Sequence, residues 1–167
     1  MQIVQDKALL LKVKRSKLVT DVIANSRLIE AQSDGETVAV KWGLQEAKAL
    51  VKLGFDNVPS PILRDYVWSG SLVPFKHQMV TSSFLTLNDD ALCLNEAGTG
   101  KTASVIWAAD YLMKIGEVKR VLVVCPLSIM RAAWQNDLFK FAMHRSVAIA
   151  HGSPRPASGP SWAGPSS

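Results

Sequence analysis

The chain predicts an α/β protein in which a small α+β unit precedes a parallel sheet flanked by helices. Three observations carry that expectation. From Phe75 onward helix-like and strand-like segments alternate, and the strands in that half, such as Val121-Leu122-Val123-Val124-Cys125, are continuous apolar runs. An earlier apolar run, Ala91-Leu92-Cys93-Leu94, closes in a glycine-bearing stretch, Asn95 to Thr102, that opens a helix. Strands without polar alternation are buried on both faces, which is the condition of a parallel sheet covered by helices.

Taken in order, residues 8–14 and 37–42 read as strands, and Ser33-Asp34-Gly35-Glu36 as the turn that leads into the second. Residues 43–53 place Leu44, Ala47, Leu50, Val51 and Leu53 at helical spacing, and Gly54 ends the run. These elements define an accessory unit over residues 1–70. Pro59-Ser60-Pro61 breaks regular structure and marks a boundary, followed by a connector that carries Tyr66, Trp68 and Gly70 to Pro74. Beyond it the spacing predicts helix 75–87, strand 90–94, helix 101–115, strand 120–125, helix 128–142 and strand 146–150, all within a second unit over residues 71–152. Residues 153–167 are dominated by Ser, Pro, Gly and Ala and are expected to be a disordered tail.

Composition narrows the class. Of 167 residues, 48% are hydrophobic, enough for a packed core, and the net charge of +5 suits an anionic partner such as nucleic acid without requiring one. Lys12, Lys14, Arg15 and Lys17 form the densest basic run, which reads first as a solvated face. The only cysteines, Cys93 and Cys125, lie in apolar runs and are expected to be buried and unbridged, as in a reducing compartment. No apolar run reaches membrane-spanning length, and Gln2, Asp6 and Lys7 ahead of a short Ala8-Leu9-Leu10-Leu11 make a poor signal peptide. The expected location is cytoplasmic.

The chemistry concentrates at Asn95-Glu96-Ala97-Gly98-Thr99-Gly100-Lys101-Thr102. A strand-loop-helix of this kind aims successive N–H groups and a helix N-terminus at one point, where their partial positive charge holds a polyphosphate. Gly98 and Gly100 permit backbone angles that a Cβ would oppose. Ala97, Gly98, Thr99 and Gly100 are therefore expected to line the phosphates, Lys101 to set its ammonium against the β- and γ-phosphates, and Thr102 to give its hydroxyl to magnesium. Asn95 stands where the strict pattern has glycine, so the match is to the Gly-x-Gly-Lys-Thr core. Gln78 offers an amide donor and a carbonyl acceptor, the pair needed to read adenine. Ser128, after Pro126, is placed to cap a helix or to meet a DNA phosphate, and Trp134 reads as core.

Three motifs in this order resemble the first half of the N-terminal RecA-like domain of superfamily 2 helicases, most closely the Swi/Snf-related DNA translocases, including small phage versions. Pro74-Phe75-Lys76-His77-Gln78 resembles their adenine-reading element, Asn95 to Thr102 their motif I, and Val123-Val124-Cys125-Pro126-Leu127-Ser128 with Trp134 their motif Ia. His151-Gly152 resembles the end of the following strand. The resemblance covers about residues 72–152 and implies an incomplete RecA-like P-loop domain with ATP and magnesium as cofactors and duplex DNA as partner, Lys101 and Thr102 being its catalytic positions. Motif II, with its acidic pair on an apolar strand, and the second motor domain are not found, so ATP binding without hydrolysis is the expectation. The competing expectation is a non-catalytic nucleic-acid-binding or adaptor fragment whose cradle is vestigial.

Overall fold

The computed structural model describes residues 1–33, 35–68, 70 and 72–150. In the accessory unit, β1 (Gln2–Val4), β2 (Ala8–Val13), β3 (Ser26–Gln32) and β4 (Gly35–Lys41) form an antiparallel sheet in the order β1-β2-β4-β3. The register pairs Leu9 with Val40 and Leu11 with Val38. Paired residues share a face, so these four apolar side chains point together to the interior. All four are buried, against Val19 of a short helix α1 (Lys17–Thr20) and Leu44, Ala47 and Leu50 of α2 (Leu44–Lys52). The α2 stripe expected from spacing is thus the lid of this core. β1, β3 and α1 were not anticipated: β1 is only three residues long, and β3 is exposed along most of its length, so neither shows the apolar period that announces a strand.

The segment read as a boundary is packed. Ser60 is wholly buried, its hydroxyl 2.7 Å from that of Thr86 and its N–H donating to Ser83 Oγ at 3.2 Å. Trp42 Nε1 donates to the Pro59 carbonyl at 2.8 Å. The prolines break regular structure, as expected, but the polar groups they leave are satisfied by Trp42, Ser83 and Thr86. A helical turn, α3 (Ile62–Asp65), follows.

Two helices form where the spacing put them, α4 (Lys76–Leu87) and α5 (Lys101–Lys114). Around α5 a second core gathers Ile62, Tyr66, Ala103, Ile106, Trp107, Tyr111, Phe141 and Ala142. Trp107 is 1% exposed and meets Phe141 and Trp68 edge-on, with ring centroids 5.1 and 5.6 Å away. Leu112 packs against both cores, which joins the two halves of the chain.

The parallel sheet is not formed. Residues 90–94, 120–125 and 146–150 make no ladder, and the sheet of the accessory unit is the only one among the described residues. The apolar runs express a preference for extended chain, but a ladder needs a neighbour presenting complementary N–H and C=O groups, and no described segment takes that place. Helix 128–142 is also broken up. It consists of α6 (Leu127–Ile129), a π-helical turn over Met130–Gln135 and α7 (Asn136–Phe141), from which Trp134 and Leu138 reach the second core. Trp134 is therefore core, as expected. His151 and the expected tail lie outside the described residues.

One buried charge ties these parts together. Asp110 on α5 is 4% exposed; its carboxylate accepts from Tyr66 Oη at 2.7 Å, His144 Nε2 at 2.8 Å and Arg145 Nε at 2.5 Å. Burial by itself would push this carboxyl up, but the hydrogen bonds from Tyr66, Arg145 and His144 outweigh it and hold the group below the ordinary carboxylate range. A carboxyl whose folded pKa is depressed adds stability that is complete above its unfolded value of about 3.9 and drains away as the pH falls through the folded one. Asp110→Asn should therefore be less stable than the parent at neutral pH and flatter below about pH 4 in urea titrations. Trp107→Ala should cost about 3–5 kcal/mol in the same assay, because its cavity opens beside the Trp68 and Phe141 rings.

Candidate nucleotide-phosphate site

The expected cradle is a turn joined directly to the N-terminus of α5. Gly98 and Gly100 both take left-handed backbone angles, φ +79° and +76°. A Cβ on Gly98 would meet no protein atom within 4 Å, so glycine is required there by backbone conformation and the loop surface stays open to a ligand. At Gly100 both constraints act: the angle is left-handed, and a Cβ would collide with the Gln78 amide nitrogen. Gly100 is also the N-cap of α5, so the unbonded N–H groups of the first helical turn lie at the end of the loop.

With no ladder under residues 90–94, the loop is held from α4. Gln78 Nε2 donates to the Thr99 carbonyl at 3.2 Å, and His77 Nε2 lies 3.1 Å from the same oxygen. Gln78 Oε1 accepts the Phe75 N–H at 2.9 Å, so one amide caps α4 and grips the cradle. Asn95 Nδ2 donates to Thr81 Oγ1 at 3.0 Å, which gives the residue in the place of the first glycine a definite task. Below the loop, the buried Ser82 hydroxyl donates to the Ser104 carbonyl at 2.9 Å and locks α4 to α5.

Lys101 lies inside the loop. Its ammonium donates to the carbonyls of Asn95 and Glu96, both at 2.8 Å, and Thr99 Oγ1 donates to Glu96 O at 2.8 Å. An ammonium has three donors, so one remains for an anion. Any phosphate that draws Lys101 further must replace charge-assisted bonds worth about 1.5–3 kcal/mol each. Thr102 is half-buried in the first turn of α5. Among the described residues no group of three His, Cys, Asp or Glu side chains is placed to hold a metal, so a magnesium ion here would rest on the Thr102 hydroxyl, phosphate oxygens and water.

The structure therefore brings Gln78, Ala97, Gly98, Thr99, Gly100, Lys101 and Thr102 to one place. His77 and Asn95 belong there too, and neither was assigned a role by the cradle motif. Their side-chain partners, Thr99 and Thr81, come from the packing of α4, which sequence spacing does not give. Ser128 stands apart. Pro126, not Ser128, is the N-cap of the three-residue α6, and Ser128 is exposed on that turn without a capping hydrogen bond, because the helix begins two residues earlier than the hydroxyl needs. The cysteines are half-buried and unbridged rather than fully buried, since the apolar runs around them have no cover on one side. No helix among the described residues is long and apolar enough to cross a membrane.

The geometry makes a sharp demand on Gly100. Gly100→Ala should lose about 1–2 kcal/mol from the left-handed angle alone. The collision with Gln78 should also loosen the α4 contact, visible as faster amide exchange at Thr99 to Thr102. Compared with known proteins, no family model, curated sequence or solved structure matches the chain.

Proposed function

We propose that this chain carries the ATP-recognition half of a motor of the Swi/Snf-related DNA translocase class, in an incomplete RecA-like domain. The reading rests on the order and spacing of three motifs, and above all on one observation, the convergence of left-handed Gly98 and Gly100, Lys101 and the N-terminus of α5 with Gln78. Backbone N–H groups from the loop and the first turn of α5 would receive the phosphates, the remaining Lys101 donor the outer phosphate charge, and the Thr102 hydroxyl the magnesium ion. Gln78 retains a second N–H and a second acceptor lone pair for an adenine edge while it holds Thr99. The motif order also supports duplex DNA as the partner of the parent class, with Ser128 as a phosphate contact.

Affinity should be low, in the millimolar range or about −4 kcal/mol, because the loop now satisfies Lys101 with its own carbonyls. Magnesium ATP should shift the amide signals of Ala97 to Thr102 in NMR titrations, and turnover should be undetectable. Lys101→Ala should weaken binding about tenfold or more, and Gln78→Ala should erase the preference for ATP over GTP. Unchanged spectra of the folded protein at millimolar nucleotide would end this proposal.

A second reading, a non-catalytic nucleic-acid-binding fragment, is favoured by the sheet. Lys41 pairs with Ala8, Arg27 with Ala39 and Lys12 with Thr37, which puts three basic residues on the outer face opposite the core. DNA binding that falls with salt and is indifferent to Lys101→Ala would decide for it.

A further inference from the structure

Residues 120–125 run without helix, turn or bend and, among the described residues, make no backbone hydrogen bond. Exposure alternates along the stretch: Val121 is 47% exposed, Leu122 86%, Val123 40% and Val124 88%. That period of two is the mark of an extended strand with one face turned inward. A cavity of about 820 Å³ lies beside it, bounded by Val105, Ala109 and Met113 of α5, by Trp134, and by residues 146–150, which likewise make no ladder. It shares no lining residue with the phosphate cradle.

We infer that the edge at Val121–Cys125 pairs with the same edge of a second copy of this chain, in an antiparallel, two-fold arrangement centred on Val123. The composition selects an identical partner: Val121 to Cys125 is uncharged, rich in β-branched residues and free of Gly and Pro, the type of segment that pairs with itself. Charge selects the direction. Lys119 and Arg120 are exposed, with no ion pair among the described residues, and a parallel in-register pairing would stack them on their own copies. In the antiparallel arrangement the two basic pairs move to opposite ends of the ribbon. Pro126 lacks an N–H and ends the ladder, so pairing stops there. A two-fold axis through the ribbon keeps the faces matched, setting Val123 opposite Val123 and Leu122 opposite Val124. The contact is isologous and closes on itself, which uses up this edge instead of propagating it.

Sedimentation of the full chain over about a hundredfold concentration range should show a monomer–dimer equilibrium. In the dimer the amides of residues 121–125 should become protected from hydrogen exchange. Val123→Pro, which removes the central donor, should weaken association about tenfold or more, while Val123→Thr leaves it in place. Leu122→Lys, at a position open in the monomer, should weaken it too and guards against a proline variant that fails to fold. The inference is overturned by a monomer at every concentration. It is equally overturned by a dimer unmoved by Leu122→Lys with residues 121–125 unprotected, or by open-ended assemblies in place of dimers.

Discussion

The candidate site depends on the seam between α4 and α5. A glycine-bearing phosphate loop is ordinarily carried on a strand buried in a sheet, and here residues 90–94 have no ladder beneath them. The loop is shaped all the same, because α4 reaches across with Gln78, His77 and Thr81 and meets it at Thr99 and Asn95. Ser82 supplies the inner lock: its single hydroxyl proton is shared between the Gln78 carbonyl on its own helix and the Ser104 carbonyl on α5. Back-bonding to a carbonyl one turn earlier slightly weakens a helix, and sharing the proton with α5 offsets that cost by joining two helices. Small hydroxyl side chains on α4, with Thr81, Ser82, Ser83 and Thr86 all buried, make this close approach possible, and among the described residues no buried side-chain polar atom lacks a partner.

The same seam couples the cradle to the rest of the chain. Ser83 and Thr86 face the Ser60 segment, which carries the accessory unit through Trp42 and Pro59. At the far end of α5, Asp110 gathers Tyr66 from the connector and His144 and Arg145 from beyond α7. A charge buried to this degree is costly without partners, and the three donors that compensate it come from both sides of α5 in sequence. Surface pairs add little by comparison: Lys48 and Lys52 hold Asp89 just before residues 90–94, drawing its pKa down to about 2, yet all three are solvent-accessible. Orientation of α5, and with it of Lys101, is thus set mainly by buried contacts.

Around this ordered centre lie stretches whose apolar content is not yet used. Leu92, Leu94, Leu122 and Val124 are each more than three-quarters exposed. A single exposed leucine is ordinary, but alternating exposure along unpaired chain is what a sheet edge looks like before it finds a neighbour. The phosphate loop and this edge are separate features on separate residues, so nucleotide recognition and chain pairing can stand or fall independently.

By itself the sequence determined the local elements whose signals are local. Helices at 76–87 and 101–114, the β2 and β4 strands, the α2 stripe and the glycine turn at 98–100 follow from periodicity, capping and left-handed backbone demands, each a property of a few consecutive residues. The grouping of Gln78 with Lys101 and Thr102 was also legible, through motif order. Tertiary structure alone decided what those elements do with one another: that Ser60 is a tie rather than a boundary, that Lys101 bridges its own loop, that Asn95 anchors to Thr81, and that Asp110 organises the second core. It also decided that apolar runs at 120–125 and 146–150 stay unpaired. Hydrophobicity reports a readiness to be buried, whereas pairing requires a second backbone at the right place, and no run of side chains can specify that on its own.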